Sequence, residues 1–207
     1  MDRYTLYGRK DTGSMAVEAA LREAGADYDL IEVTDSADPA FRAVNPRGQV
    51  PVLVHPDGTV ITESTAILTH VADNFPAAHL IPTPGSSARA FHDRWLAFFQ
   101  VNVYEGFLRE SYPDRYIADP AHAAEVRAAA ESYVGQHFEI FENVLTDDGP
   151  YLLGQRFQIV DLYVWLLVWW MDRDWLARHC PRVLRLWQAA NTRPAEAEVA
   201  AAHGRIA

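Results

Sequence analysis

The stretch Asn45-Pro46-Arg47-Gly48-Gln49-Val50-Pro51-Val52-Leu53 decides the fold class of this 207-residue chain. It leads from a turn into a strand that carries a proline near its start. Because proline removes a donor from the strand ladder, Val50 should lie where the sheet turns outward. A cis Val50-Pro51 bond would leave the N–H and C=O of Val50 free to pair with an extended peptide. A proline in an ordinary edge strand is the alternative.

Short strands and helices alternate on both sides of this stretch. The patterns predict strands, helices and a tight turn in the order βαβαββα: strand 4–7, helix 15–24 ended by Gly25, strand 28–33, helix 39–44, strand 50–54, turn 55–58, strand 59–61 and helix 64–74. Helical crossovers imply parallel pairing early in the chain, and the tight turn implies an antiparallel hairpin late. The first part of the chain is therefore predicted to be a small α/β domain, residues 1–80.

The second part of the chain is predicted to be all helical. Residues 80–87, which contain two prolines, a glycine and two serines, are the clearest linker, so this domain should span residues 87–207. Residues 162–171 are apolar on all sides, which is typical of a helix at the centre of a bundle. The Ala-rich tail, residues 195–207, shows little pattern, and we expect it to be partly frayed.

Composition excludes several classes of function. The net charge is −10, which argues against a nucleic-acid or anionic-membrane partner. The single cysteine, Cys180, excludes an intramolecular disulfide and a thiolate zinc cluster. The longest apolar run has ten residues, too few to cross a bilayer, and the chain leads straight into strand-like sequence rather than a signal peptide. These features predict a soluble, cytoplasmic protein.

Other conspicuous side chains have simpler explanations than a site. The eight histidines include no pair at a metal-ligand spacing, so no metal is expected. The tryptophan cluster Trp165, Trp169, Trp170 and Trp175 is better explained as bundle core than as a ligand cage.

Two strand-to-helix junctions could bind charged groups. At the later one, Ser64 is a good N-cap, and the helix N-terminus could hold a carboxylate while Glu63 accepts from an ammonium. Together they would match a zwitterionic amino-acid head group. At the earlier one, residues 9–15, the hydroxyls of Thr12 and Ser14 and the helix N-terminus could stabilise a thiolate. An ordinary capped helix is the alternative at both junctions, with Thr12 or Ser14 as the cap of the earlier one.

Four segments, taken in order, resemble the cytosolic glutathione transferase family of bacterial type. They are Asn45-Pro46-x-Gly48-x-Val50-Pro51-x-Leu53, then Glu63-Ser64-x-Ala66-Ile67, then Gly154-Gln155-Arg156-Phe157-x-Ile159-x-Asp161-Leu162, and finally Trp187 with Arg193-Pro194. The resemblance implies a thioredoxin-like α/β N-terminal domain that binds glutathione. It also implies an all-α helical-bundle C-terminal domain that contributes the pocket for an electrophile.

The resemblance also implies roles for individual residues. The backbone of Val50, beside cis-Pro51, would pair with the cysteinyl part of glutathione. Glu63 and Ser64 would hold the γ-glutamyl head group, and Gln49 would lie near the glycyl end. Asp161 would cap a buried helix, although Gln158 stands where the family usually has Ser or Thr, a departure that bears on the capping box rather than on the fold.

The catalytic residue follows less directly from the resemblance. Family members place Tyr, Ser or Cys near the end of the first strand or the start of the first helix. This chain has no Cys there, which disfavours Cys-type chemistry. We favour Ser14, because hydroxyl and helix dipole can act together at the helix start, with Thr12 second and Tyr7 third. Among the residues of the second domain, some of this set should line the electrophile pocket: Phe98, Phe99, Asn102, Tyr104 and Tyr112.

The main prediction is an enzyme that ionises the thiol of its cosubstrate glutathione and directs it at a small, apolar electrophile, without a metal. The resemblance further implies a cytoplasmic homodimer that acts in detoxification. One alternative is a glutathione-dependent isomerase or dehalogenase of the same family. Another is a non-catalytic module for ligand carriage or assembly.

Overall fold

The computed structural model describes residues 3–205 and divides them into two compact units. The first is made of the chain through Thr83 together with the segment from Ala190 onward, and the second is Pro84–Ala189. The break at Thr83 falls inside the predicted linker. The start of the chain at residues 1 and 2, and the end of the expected frayed tail at residues 206 and 207, lie outside the described residues.

The first unit is built on a four-stranded mixed sheet in the predicted order βαβαββα. Its elements are β1 (Tyr4–Gly8), α1 (Ser14–Glu23), β2 (Tyr28–Glu32), α2 (Pro39–Val44), β3 (Val52–Val54), β4 (Val60–Thr62) and α3 (Ser64–Asn74). The strands lie side by side as β2-β1-β3-β4. The β1 and β2 strands pair in parallel, whereas β3 pairs antiparallel with β1 and β4. Both predicted modes of pairing are confirmed.

Local chemistry sets the helix ends of this unit. The helix α1 ends before Gly25, whose φ of 66° lets its N–H reach back to the carbonyl of Arg22 at 3.0 Å. The helix α2 begins at Pro39, directly after Asp38, whose carboxylate accepts from the N–H of Ala40 at 2.8 Å. The glycine after α1 and the proline at the first position of α2 therefore explain why the end of α1 and the start of α2 could be predicted.

The two faces of the sheet are covered differently. The predicted inner face of α3 (Ile67, Leu68 and Val71) is fully buried, as are the apolar side chains of α1. A smaller cluster, Val33, Phe41 and Val52, packs with Tyr7, Val44 and Val50. Val50 is therefore tied to the core through its side chain, although it lies outside the strand ladder.

The second unit is mostly helical. Its helices are α4 (Ser87–Phe98), α5 (Glu105–Ser111), α6 (Ala123–Glu142), α7 (Ile159–Val168), α8 (Arg173–His179) and α9 (Pro181–Asn191), the last of which runs past the unit boundary. A π-helical turn, Phe99–Tyr104, joins α4 to α5. All ten residues of α7 are buried, which confirms the prediction of a central bundle helix.

Asp161 holds the start of α7. Its fully buried carboxylate accepts from the backbone N–H of Gln158 at 2.9 Å and from the backbone N–H of Leu152 at 2.9 Å. One carboxylate therefore satisfies a helix donor and a donor of the preceding loop. The predicted capping role of Asp161 is confirmed, and Gln158 is compatible with it.

The C-terminal tail differs from the expectation. It forms a helix, α10 (Pro194–Ala202), with Glu196, Val199 and Ala200 buried, and it groups with the first unit rather than with the helical domain expected at 87–207. The Ala-rich sequence hides this helix from periodicity, because alanine buries well without adding a strong apolar signal. Arg193, just before α10, donates to the two carboxylate oxygens of Glu23 on α1 at 2.8 and 2.6 Å.

The buried carboxyl group of Glu196 should make stability fall as pH rises. Burial, and next the negative charge of Glu23, raise the pKa of Glu196 to about 9. The folded protein therefore keeps this proton between the ordinary carboxyl pKa and about pH 9, while the unfolded chain loses it. Over that range the wild type should lose up to about 1.4 kcal/mol of unfolding free energy per pH unit through this group. We expect Glu196→Gln to abolish this loss.

The measurement is urea unfolding at several pH values across that window. Glu198→Gln is the matched control, because Glu198 is an exposed neighbour on the same helix. Parallel stability curves for the wild type and Glu196→Gln would contradict a protonated Glu196.

Candidate active site

Strand register brings three predicted segments to one end of the sheet. In the β3–β4 hairpin Val52 faces Thr62, so the chain continues outward through Pro51 and Val50 on one side and through Glu63 and Ser64 on the other. Val52 also faces Tyr7 on β1, so the loop after β1 leaves from the same end. The antiparallel pairing of β3 with both neighbours thus gathers the candidate ligand-binding residues, although they are far apart in sequence.

Asn45 organises the turn that precedes β3. Its buried side chain donates to the carbonyl of Gln49 at 2.8 Å and accepts from the N–H of Arg47 at 3.2 Å. Its own carbonyl accepts from the N–H of Gly48 at 2.8 Å. Asn45 was part of the quoted motif, but its role as the hub of the turn was not predicted, because nothing in sequence spacing shows which way an amide points.

The Val50-Pro51 peptide bond is cis, as predicted. The ladder of β3 begins only at Val52, and within residues 3–205 no hydrogen bond engages the N–H or C=O of Val50. Pro51 is buried, whereas Val50 and Gln49 are partly or fully exposed. A short piece of extended backbone is therefore available at this end of the sheet for pairing with another chain.

The start of α3 corrects one prediction. Ser64 is the first residue of the helix and is buried, while the N-cap position is held by Glu63, whose side chain makes no capping hydrogen bond. The prediction of Ser64 as the N-cap was wrong by one residue. Glu63 has φ 67° and ψ 114°, a conformation that non-glycine residues rarely adopt and that is concentrated at functional sites.

Glu63 has a cationic neighbour that sequence reasoning missed. Its exposed carboxylate accepts from Arg47 across 2.9 Å. The pair links the turn before β3 to the start of α3, the two segments that register places side by side. Because both side chains are exposed, the ion pair contributes little stability by itself and leaves both charges accessible to a ligand.

Hydrogen bonds from the hydroxyls of Thr12 and Ser14 hold the loop between β1 and α1. The Ser14 Oγ donates to the carbonyl of Arg9 at 2.8 Å and accepts from the N–H of Arg9 at 3.1 Å. Thr12 Oγ1 also donates to the carbonyl of Arg9 at 2.8 Å and lies 2.8 Å from Ser14 Oγ. The N-cap position is held by Gly13, so neither Thr12 nor Ser14 is the N-cap residue, although Thr12 Oγ1 accepts from the backbone N–H of Ser14, the first residue of α1, at 3.4 Å.

The two hydroxyls differ in access. Ser14 is 1% exposed, and a Cβ placed on Gly8 would lie only 3.0 Å from its Cβ, so the side chain is enclosed. Thr12 is half-buried and stands closer to solvent. Tyr7, the third candidate, is half-buried and packs its ring against Phe41 with centroids 5.7 Å apart.

The residues singled out in the second unit separate into three groups. Phe99 is core, and Phe98 packs on Trp95. Asn102 is tied by hydrogen bonds, since it accepts from the hydroxyl of Tyr133 at 2.8 Å. Tyr112 is the exposed member of the set and lies under the guanidinium of Arg115. Tyr104 is half-buried, as Phe98 and Asn102 are, and it stacks on Tyr163 and meets Trp170.

Two other predictions concern residues outside the site. Trp165 and Trp169 are buried in the bundle, whereas Trp170 and Trp175 are half-buried, so the cluster is core for its first two members only. Cys180 is fully buried, and burial together with the charges of Glu142 and Glu139 raises the pKa of its thiol to about 12.

Among residues 3–205, no group of three His, Cys, Asp or Glu side chains could hold a metal ion. In the same range no helix is both long enough and apolar enough to span a membrane.

Family models match both halves of the chain. The glutathione S-transferase N-terminal domain matches residues 14–74, and the glutathione S-transferase C-terminal domain matches residues 109–199. The chain belongs to the glutathione S-transferase family. Membership makes it a glutathione-dependent transferase, with glutathione as its cosubstrate.

Individual relatives agree with this membership. The chain is 32% identical over 171 residues to the glutathione S-transferase GstA of Escherichia coli O157:H7, covering 80% of this chain and 81% of the relative. It is 27% identical to the maleylacetoacetate isomerase of Pseudomonas aeruginosa, covering 94% and 93%. Among solved structures, a glutathione transferase homologue from Sulfitobacter with bound glutathione superposes with a TM-score of 0.87 at 27% identity, covering all of both chains.

Proposed function

We propose that glutathione lies along the end of the sheet where Val50, Ser64 and the loop after β1 converge, and that this site ionises its thiol. The observation that carries the proposal is the register of β3 with both neighbours, which places an unpaired stretch of backbone beside the start of α3. A γ-glutamyl peptide has the matching parts: a backbone that can pair with a strand and a zwitterionic head group.

Each binding residue has a distinct proposed role. The N–H and C=O of Val50, beside cis-Pro51, pair with the cysteinyl unit. Ser64 and the first N–H groups of α3 hold the head-group carboxylate, where the helix dipole favours an anion. Glu63 accepts from the ammonium, and Gln49 lies near the glycyl end.

The loop hydroxyls are proposed to stabilise the thiolate. A free thiol has a pKa of about 8.5, so it is only a few per cent ionised at neutral pH, and each unit of lowering needs about 1.4 kcal/mol. The two side chains differ in access, and we assign them different roles. Thr12 turns its one hydroxyl proton from the carbonyl of Arg9 to the sulfur, while the enclosed Ser14 keeps its hydrogen bond to that carbonyl and holds the loop in place. This differs from the sequence prediction, which put Ser14 first.

The other parts of the prediction are proposed on membership of the family. The helical unit, Pro84–Ala189, supplies an apolar electrophile pocket, and Tyr104, which is half-buried beside Tyr163 and Trp170, is proposed to line it. The protein works as a cytoplasmic homodimer in detoxification. Isomerisation is the second candidate reaction, favoured by the similarity over 94% of the chain to a maleylacetoacetate isomerase.

Calorimetric titration tests the binding site. Reduced glutathione and S-methylglutathione should both bind, and Ser64→Ala should weaken both about tenfold, because the variant removes a hydroxyl donor from a buried charged group. Ser132→Ala is the matched control, because Ser132 is an exposed helical serine in the other unit. Failure of the folded wild type to bind either ligand would overturn the proposal.

A second measurement separates the two hydroxyls. The ultraviolet absorbance of the bound thiolate, followed against pH, gives the pKa of the glutathione thiol in the complex. Thr12→Val should raise this pKa by about one unit, which corresponds to tenfold less thiolate at neutral pH. A larger rise for Ser14→Ala than for Thr12→Val would instead assign the direct donor to Ser14.

A further inference from the structure

Asp11 stands in an unusual conformation immediately before the candidate thiolate-stabilising residue Thr12. Its φ is 56°, in the left-handed region that non-glycine residues enter at a cost of about 1 kcal/mol. Such a conformation persists only where surrounding contacts determine it. Two of the residues that contact Asp11 lie near the far end of the chain.

Two side chains of the C-terminal segment hold Asp11. The backbone N–H of Asp11 donates to Nδ1 of His203 at 3.0 Å. The guanidinium of Arg205 donates through Nε to the Asp11 carboxylate at 2.9 Å, and its Nη2 contacts both carboxylate oxygens. One contact fixes the backbone of Asp11 and the other fixes its side chain, so together they set the direction in which the chain enters Thr12.

His203 is itself held in one tautomer. Because Nδ1 accepts from Asp11, the proton lies on Nε2, which donates to the carboxylate of Glu18 at 3.0 Å. Both side chains are nearly buried. Burial opposes the ionisation of Glu18, but its hydrogen bond with His203 and the charge of Arg22 hold the pKa of Glu18 below its ordinary value. The buried carboxylate of Glu18 on α1 therefore orients the imidazole of His203, which binds the backbone of Asp11.

We propose that His203 and Arg205 are positioning residues for the thiolate: by holding Asp11 in its left-handed conformation they fix the hydroxyls of Thr12 and Ser14. All the residues involved belong to the first compact unit. The inference rests on the proposed function, because it concerns the same loop and the same thiolate. Neither residue touches glutathione in this proposal, so their removal should affect ionisation of the thiol and not attachment of the head group.

The test measures the pKa of the bound glutathione thiol by its ultraviolet absorbance, and the affinity for S-methylglutathione by calorimetry. His203→Ala and Arg205→Ala should each raise the thiol pKa by about half a unit or more, that is, about threefold less thiolate at neutral pH. Affinity for S-methylglutathione should change less than about twofold. Arg205→Lys, which keeps a cation beside Asp11, should recover part of the shift.

Arg3→Ala is the matched control, because Arg3 forms an exposed ion pair with Asp29 in the same unit. Asp11→Gly adds a test of mechanism: glycine adopts the left-handed conformation freely and lacks the carboxylate, so Arg205→Ala should have no further effect in that background. If His203→Ala does not fold, Arg205→Ala is the variant that tests the proposal, because the Arg205 side chain is partly exposed.

The outcomes separate the two proposals. A wild-type protein that binds glutathione and lowers its thiol pKa, with both variants showing the wild-type pKa, would overturn the positioning role and leave the proposed function standing. A folded wild type that does not bind glutathione would overturn the proposed function, and the positioning role with it.

Discussion

The Asp161→Ala variant is expected to lose roughly 4 kcal/mol of unfolding free energy, a large part of the 5–15 kcal/mol that is typical of a folded domain. The change removes a fully buried carboxylate and leaves the backbone N–H groups of Leu152 and Gln158 without their acceptor. Each buried, unsatisfied donor costs about 1–3 kcal/mol. The residues of α7 are all buried, so these two N–H groups lie away from bulk water.

Urea unfolding measures this loss, and two further variants test its cause. Asp161→Asn keeps one acceptor oxygen and should fall between the wild type and Asp161→Ala. Asp147→Ala makes the same chemical change in the same unit, but the Asp147 side chain is 73% exposed and pairs with Arg182 and Arg185 at the surface. Exposed pairs contribute about 0–1 kcal/mol, so equal losses for Asp147→Ala and Asp161→Ala would refute the capping argument.

The Gly48→Ala variant is expected to lose about 3 kcal/mol and to bind glutathione more weakly. Gly48 has φ 64°, and a Cβ added to it would lie 2.4 Å from the backbone oxygen of Ser36. Because that oxygen belongs to the backbone, it cannot move aside cheaply, and the turn organised by Asn45 must shift instead. The shift would carry Gln49 and Val50, two of the proposed ligand contacts, out of position.

Gly58→Ala separates the two causes of this effect. Gly58 also has positive φ, 91°, but an added Cβ would meet no atom within 4 Å. Its loss should therefore reflect the backbone conformation alone, about 1–2 kcal/mol, with glutathione affinity unchanged. The steric argument fails if both alanine variants are destabilised equally and bind glutathione equally well.

Local chemistry explains which parts of the fold were predictable. The end of α1 followed from a glycine and the extent of α3 from apolar spacing, although its N-cap was placed one residue too late. The sheet followed from crossovers and one tight turn. The π-helical turn at Phe99–Tyr104 was not predicted, because the same apolar stripe continues through it. The helix α10 was missed because alanines carry little periodic signal.

The candidate site was predictable where it is built from one continuous motif. The resemblance implied the cis Val50-Pro51 bond, which the residues alone left open against an ordinary edge strand, and local apolar spacing indicated the extent of α3. The pairing of Arg47 with Glu63, and the contacts of His203 and Arg205 with Asp11, join positions that only the folded chain brings together. Such contacts have no periodicity and no fixed spacing, so a single sequence contains no sign of them.

The grouping of α10 with the first unit gives the protein a discontinuous domain. In topological terms, the helical unit is an insertion within the first unit, which is interrupted after Thr83 and resumes at Ala190. During synthesis the ribosome releases the sheet long before it releases His203 and Arg205. The loop that carries Thr12 therefore acquires its final restraints among the last steps of folding, and a fragment ending at Thr83 would contain the sheet but lack the side chains that hold this loop.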